Sequence, residues 1–407
     1  MNDWIKLPIG QAIAFNPSES IKKGTIAKKI PMGYLTEFQR KINGFELCEY
    51  SAGPKFRNGD TLVAKITPCI ENGKTAYVDI LNENEVAFGS SEFIVLRKTN
   101  LTHQEFIFYL AISPTFRNRA ISCMEGTSGR QRVNENTLKN FELFIPSISE
   151  QSQIAKVLSD LDTKIELNNK INAELEAMAK LIYDYWFVQF EFPNDKGKPY
   201  KSSGGKMVWN KELKREIPEG WKSGQLCEVG KVSMCKRVMK HETSSDEEIP
   251  FFKISTFGEK PNTFISRNLF NLYRTKYSYP KRGDILISAA GTIGKTVIFD
   301  GRPSYFQDSN IVWIDNNELK VTNCFLNYYY KTEPWVATGG STINRLYNAN
   351  IQSLKMCFPK KTIMDRFTSI VQPFLDKQHQ LKRENQNLVE LRDWLLPMLM
   401  NGQVKVG

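Results

Sequence analysis

The chain has 407 residues, a formal net charge of +11, and is 41% hydrophobic and 24% charged. That length supplies core for roughly two to four domains, and so ordinary a composition excludes a disordered, collagen-like or disulfide-stapled protein. The modest basic excess fits a nucleic-acid binder without singling one out.

The start, MNDWIKLPIG, has no apolar signal-peptide core, and no apolar run approaches membrane length. The seven cysteines are scattered with no CxxC, and the three histidines lie far apart in sequence. A cytoplasmic protein without structural zinc is expected.

Residues 1–147 read as a first globular unit. Residues 30–35 lead into a strand. A Gly59-Asp60 turn opens a β-rich run to Ile66, and an Asn72-Gly73 turn opens another to Val78, which together predict a hairpin. Residues 93–96 read as a strand and 106–112 as a helix, followed by a basic segment with Arg117 and Arg119. A polar loop over 125–134 carries Arg130 and Arg132 and ends near Pro146.

Residues 148–187 carry the strongest pattern in the chain. Ile154, Leu158, Leu161, Ile165, Leu175, Met178 and Ile182 recur at helical spacing, with Asn168 inside the stripe. A helix of that length is a rod of about 60 Å, and its stripe requires a partner. Residues 188–216 are turn-rich, charged and weakly patterned, and read as a linker.

Residues 217–359 replay the first unit. Trp221 echoes Trp4, Ile249-Pro250 echoes Ile30-Pro31, Gly283-Asp284 echoes Gly59-Asp60, and Gly294-Lys295-Thr296 echoes Gly73-Lys74-Thr75. Arg345, closing a loop over 338–345, takes the place of Arg132. Residues 360–407 form a second long helix. A shift of 213 carries Ile154, Leu158 and Leu161 onto Phe367, Val371 and Phe374, and Leu175, Met178 and Ile182 onto Leu388, Leu391 and Leu395. Pro146 likewise becomes Pro359. The chain is a tandem duplication. The expected fold is α+β: two pseudo-repeated domains, each followed by a long helix, with the helices packed as an antiparallel coiled coil. Pro373 is expected to kink or split the second helix near its start.

Residues 289–296, AAGTIGKT, nearly match a phosphate-binding P-loop. Such a loop must feed a helix. Here a β-rich run, residues 297–300, follows, so the segment reads as a glycine-rich hairpin tip. No other catalytic constellation is present, and no enzymatic activity is expected of the chain itself.

The helix text resembles a known family. Glu150-Gln151, Ile154-Ala155, Leu161-Asp162, residues 164–168 and Trp186-Phe187 are similar to the central conserved region of the specificity subunits of Type I restriction–modification systems. Residues 390–397 with Asn401-Gly402 resemble its distal conserved region, and Gly59-Asp60 and Gly283-Asp284 resemble its target-recognition domains. The resemblance implies that units 1–147 and 217–359 each read half of a bipartite, asymmetric target on double-stranded DNA. It implies that the helices are a spacer between them. Two methyltransferase subunits and two restriction/translocase subunits would be partners, and S-adenosylmethionine, ATP and Mg would be bound by those partners.

The candidate DNA contacts are Lys22, Lys23, Lys28, Lys65, Lys74, Arg117, Arg119, Arg130 and Arg132 in the first domain. In the second they are Lys236, Arg237, Lys240, Lys253, Lys295 and Arg345. A solvated surface charge is the competing reading for each. For Arg130, Arg132 and Arg345 a structural role in their loops competes as well. A coiled-coil scaffold for other proteins, and a subunit of a related Type IIB-like system, are the alternative functions.

Overall fold

The computed structural model describes residues 4–127, 129–335 and 345–406. The chain divides into two compact units. One comprises residues up to Asn169 together with Lys382 onward, and the other runs from Lys170 to Leu381. Each holds one globular domain and a stretch of both long helices.

In the first unit an antiparallel sheet has the order Ile13–Phe15, Phe93–Lys98, Thr61–Ala64, Thr75–Tyr77. The hairpin read from sequence is its edge, with Thr61 opposite Tyr77. A second sheet sets Ile26–Ile30 parallel to Ala87–Gly89. The helix Gln104–Ile112 is buried from Phe106 onward, because it lies in the core between sheet and long helices.

The second unit repeats this plan. Its main sheet has the order Gly230–Met234, Ile311–Asn316, Ile285–Ser288, Thr296–Ile298, and its second sheet sets Ile249–Phe252 parallel to Tyr305–Phe306. The helix Asn323–Tyr330 takes the place of Gln104–Ile112. The repeated Gly-Asp pair has one physical role in both units. Gly59 and Gly283 adopt φ of +91° and +92°, a region that favours glycine. The turn lets Asp60 accept the Arg57 N–H at 2.8 Å and Asp284 the Lys281 N–H at 2.7 Å. Both carboxylates are buried.

The first long helix spans Ile148–Tyr183 and ends in a π-helical turn, Asp184–Val188, that buries Trp186 and Phe187. The second runs unbroken over Lys361–Met400. Pro373 therefore does not split it. Its ring faces solvent, where the missing N–H bond is cheapest to forgo.

The helices pair antiparallel within each unit. In the first, Asn168 donates to Asn385 at 2.8 Å, and Asn385 donates to Asn169 at 2.8 Å. In the second, Gln378 donates to the Asn172 carbonyl at 3.0 Å, and Phe367 packs its ring 5.0 Å from Phe187. Of the seam positions read from sequence, Ile154, Leu158, Phe367 and Val371 are buried. Leu161, Ile165, Leu175, Ile182, Phe374, Leu388 and Leu395 are half-buried. Met178 and Leu391 are a correction: they are 49% and 43% exposed, and their neighbours Ala179 and Arg392 face inward instead.

Residues 188–216 also depart from the linker reading. Phe190 and Phe192 are buried, Phe192 stacks on Trp221 at 5.0 Å, and Met207–Asn210 pairs with Arg215–Pro218. Non-periodic aromatic packing orders this stretch onto the second unit.

Candidate nucleic-acid interface

The hairpin tip of residues 289–296 is where the P-loop resemblance fails structurally. Thr296 enters a strand paired with Ile287, and the Ser288 N–H donates to the Lys295 carbonyl at 2.9 Å. Gly294, at φ +79°, leaves no room for a Cβ beside the Trp335 ring. Lys295 pairs with Glu259 at 3.1 Å.

The basic residues fall into two groups. Several hold their own domain together. Lys28 is tied to Glu85 at 2.9 Å and lies over the Phe45 ring. Lys65 meets Glu135 at 3.4 Å, and Lys74 reaches the Met32 carbonyl at 3.4 Å. Arg117 stacks on Phe38 and donates to the Glu71 carbonyl at 2.9 Å, and burial lowers its pKa below the ordinary guanidinium value. Arg119 stacks on Phe141. These five side chains are engaged in internal contacts, a role that sequence alone did not separate from DNA contact.

Arg132 and Arg345 occupy equivalent places, as their loops suggested. Each forms an isolated bridge to a residue just beyond the third strand of its sheet, Ile66 and Ala290 respectively. Their side chains differ. Arg132 makes a forked contact with Glu92, at 2.8 and 2.9 Å, which lowers the Glu92 pKa. Arg345 donates to the Ser309 carbonyl at 2.9 Å. Both contacts tie a loop to the sheet. The rest of the loop that Arg345 closes, 338–344, lies outside the described residues.

The second group is free of ion pairs among the described residues: Lys22, Lys23, Arg130, Lys236, Lys240 and Lys253. Lys236 sits over the Tyr277 ring. Lys22 and Lys23 lie between the strands Ile13–Phe15 and Ile26–Ile30. Arg237 and Lys240 lie between the equivalent strands Gly230–Met234 and Ile249–Phe252.

In the second unit Arg237, Lys240 and Lys253 converge. An open cleft of about 280 Å³ is lined by Arg237, Lys240 and Lys253 together with Thr243 and the turn Gln307, Asp308, Ser309 and Asn310. Arg237 bonds Asp308 at 2.8 Å, so the one acid lining the cleft is offset. Sequence reading found the three cations and missed Gln307 and Asn310, because an amide in a turn carries no periodic or charge signal. In the first unit the matching turn holds Glu92 where the second holds Asn310. The carbonyl of each accepts a backbone N–H from the end of the third strand, from Lys65 at 2.9 Å and Ala289 at 2.7 Å.

The architecture defines a protein built from one basic domain used twice, each copy with its own turn chemistry at the same place. The family model for the type I restriction modification DNA specificity domain matches residues 18–177 and 218–391, and the chain belongs to that family. A putative type I restriction enzyme specificity subunit of Haemophilus influenzae is 42% identical over 245 residues, 60% of this chain and 58% of that protein. The HindI specificity subunit of the same organism is 25% identical over 434 residues, 89% of this chain and 92% of that one. The crystal structure of a Type-I restriction-modification S subunit from M. genitalium covers 98% of this chain and 96% of its own. Its TM-score is 0.60 at 17% identity, a likeness of fold. Among the described residues no helix is long and apolar enough to cross a membrane.

Proposed function

We propose that this chain is the target-reading subunit of a type I restriction–modification complex, and that each domain reads one half of an asymmetric bipartite DNA sequence. The observation that carries this is the duplicated domain whose equivalent turns have diverged, Glu92 with Arg132 in one and Gln307 to Asn310 with free cations in the other. Lys and Arg on phosphates supply affinity, and a few side chains at base edges supply specificity. The long helices act as the spacer between half-targets.

The partners are two methyltransferase subunits and two restriction/translocase subunits, which carry S-adenosylmethionine, ATP and Mg. Two equivalent apolar stripes support docking of two copies of one partner. Leu391 and Trp394 are exposed on the first unit, and Met178 and Leu181 occupy the same helical positions, 213 residues earlier, on the second. Isolated exposed apolar residues are common, whereas a repeated stripe on a helix marks an interaction face.

Purified complex with its methyltransferase subunits tests the reading. It should bind a preferred duplex over random DNA, and Lys240→Ala with Lys253→Ala should weaken binding to all sequences alike. The salt dependence should flatten by roughly 0.9 in logarithmic slope per lost phosphate contact. Unchanged affinity and slope would contradict it.

A further inference from the structure

The geometry points to Gln307 and Asn310 as base-reading side chains of the second domain, with Gln307 presenting a hydrogen-bond donor to the major-groove edge of a base. This rests on the DNA-reading role proposed above and adds which side chains discriminate.

Gln307 is held at three points. Its backbone N–H donates to the Phe252 carbonyl at 2.9 Å, and its carbonyl accepts from Ile311 at 3.1 Å. Its side-chain Oε1 accepts the Ile254 N–H at 2.9 Å. That last bond fixes which end of the carboxamide is oxygen, because a backbone N–H can only donate. The Nε2 end is left without an acceptor among the described residues, on a side chain that lines the cleft. A rigid, pre-aimed NH₂ matches purine N7, guanine O6 or thymine O4, and mismatches the cytosine N4 amine.

The carboxamide of Asn310 makes no hydrogen bond among the described residues, while its backbone is anchored at both N–H and carbonyl. It offers donor and acceptor together, the pair that reads adenine N6 and N7. Lys240 and Lys253 line the same cleft without an ion pair among the described residues, where they can hold the phosphates flanking those bases. Arg237 engages Asp308, so the turn presents no unpaired carboxylate to the bases.

Gln307→Glu and Asn310→Asp test this directly in the whole complex, by methylome sequencing and by binding to duplexes varied one position at a time. Each swap turns a donor into an acceptor at nearly constant shape. Glu at 307 keeps the oxygen that Ile254 needs, so a purely structural Gln307 would show no change in base preference. Asn310→Asp removes no internal bond among the described residues. The expected result is a loss of about tenfold or more on the preferred duplex, with preference at one or two positions of the second half-target relaxed or moved toward cytosine. The first half-target should be unchanged. If both variants keep every base preference while the wild type remains selective, the assignment is wrong and the DNA-reading role stands. If the wild-type complex has no preference in the second half-target, the function proposed above fails, and this inference with it.

Discussion

Arg392 and Asp162 face each other across the paired long helices, Nη1 to Oδ1 at 2.8 Å, with side chains 8% and 6% exposed. Tyr109 donates to the second Asp162 oxygen at 2.8 Å. Burial drives the Tyr109 hydroxyl pKa upward and the Asp162 charge adds to it, so the tyrosine remains a donor. Burial works against the Arg392 charge, and the Asp162 and Asp393 carboxylates together more than offset it. A shift of 213 residues carries this pair onto Leu375 and Ala179, both buried in the second unit. The two copies fill one seam position with an ion pair in the first case and hydrocarbon in the second.

That comparison sets the first expectation. Arg392→Met leaves a carboxylate buried without its cation and should cost about 3–5 kcal/mol. Asp162→Leu with Arg392→Ala and Tyr109→Phe copies the apolar solution and should recover most of the loss. Urea unfolding of the three chains reads this out. A single variant as stable as wild type would mean the pair is not closed in solution.

The second expectation concerns the seam of the other unit. Phe367 is fully buried against Tyr183, Trp186 and Phe187. Phe367→Ala should cost about 3–5 kcal/mol. Leu391→Ala, at an exposed position, should stay within about 0.5 kcal/mol. Equal effects in thermal melts would place Leu391 in the seam after all.

How far such positions were readable from sequence follows from what periodicity can see. It marked both helices and the frame of the repeat, since apolar spacing and turn residues survive duplication. It misplaced Leu391 because its inward neighbour Arg392 is a polar residue with a partner across the seam, and Met178 because its inward neighbour Ala179 is too small to mark the stripe. A satisfied polar group is as buried as a leucine and leaves no hydrophobic signal. The candidate site was half legible for a related reason. Lysine and arginine advertise charge, but the partners that engage them, Glu85 for Lys28 and Glu92 for Arg132, come from 57 and 40 residues away.

A third expectation is a pH dependence. Glu19 is nearly buried and receives hydrogen bonds from Arg57 and Arg97. Burial alone would raise its pKa, and the two guanidinium groups overcome this and lower it. A depressed folded-state pKa means stability that is present above the unfolded value, near 4.5, and lost as pH falls through the folded value. Glu19→Gln should therefore lower stability by about 1–2 kcal/mol at neutral pH. The difference should vanish in acid well below pH 4.5. A gap that persists undiminished there would assign the effect to shape rather than charge.

The central claim is that each domain reads its half-target alone. Each has its own sheet, its own core cluster and its own turn over the third strand. Residues 217–359 can therefore be exchanged for the equivalent segment of a relative with a different target, and the host methylome sequenced. The expected result is one changed half of the methylated motif, with the other half and the spacing retained. A motif rewritten in both halves would contradict the account.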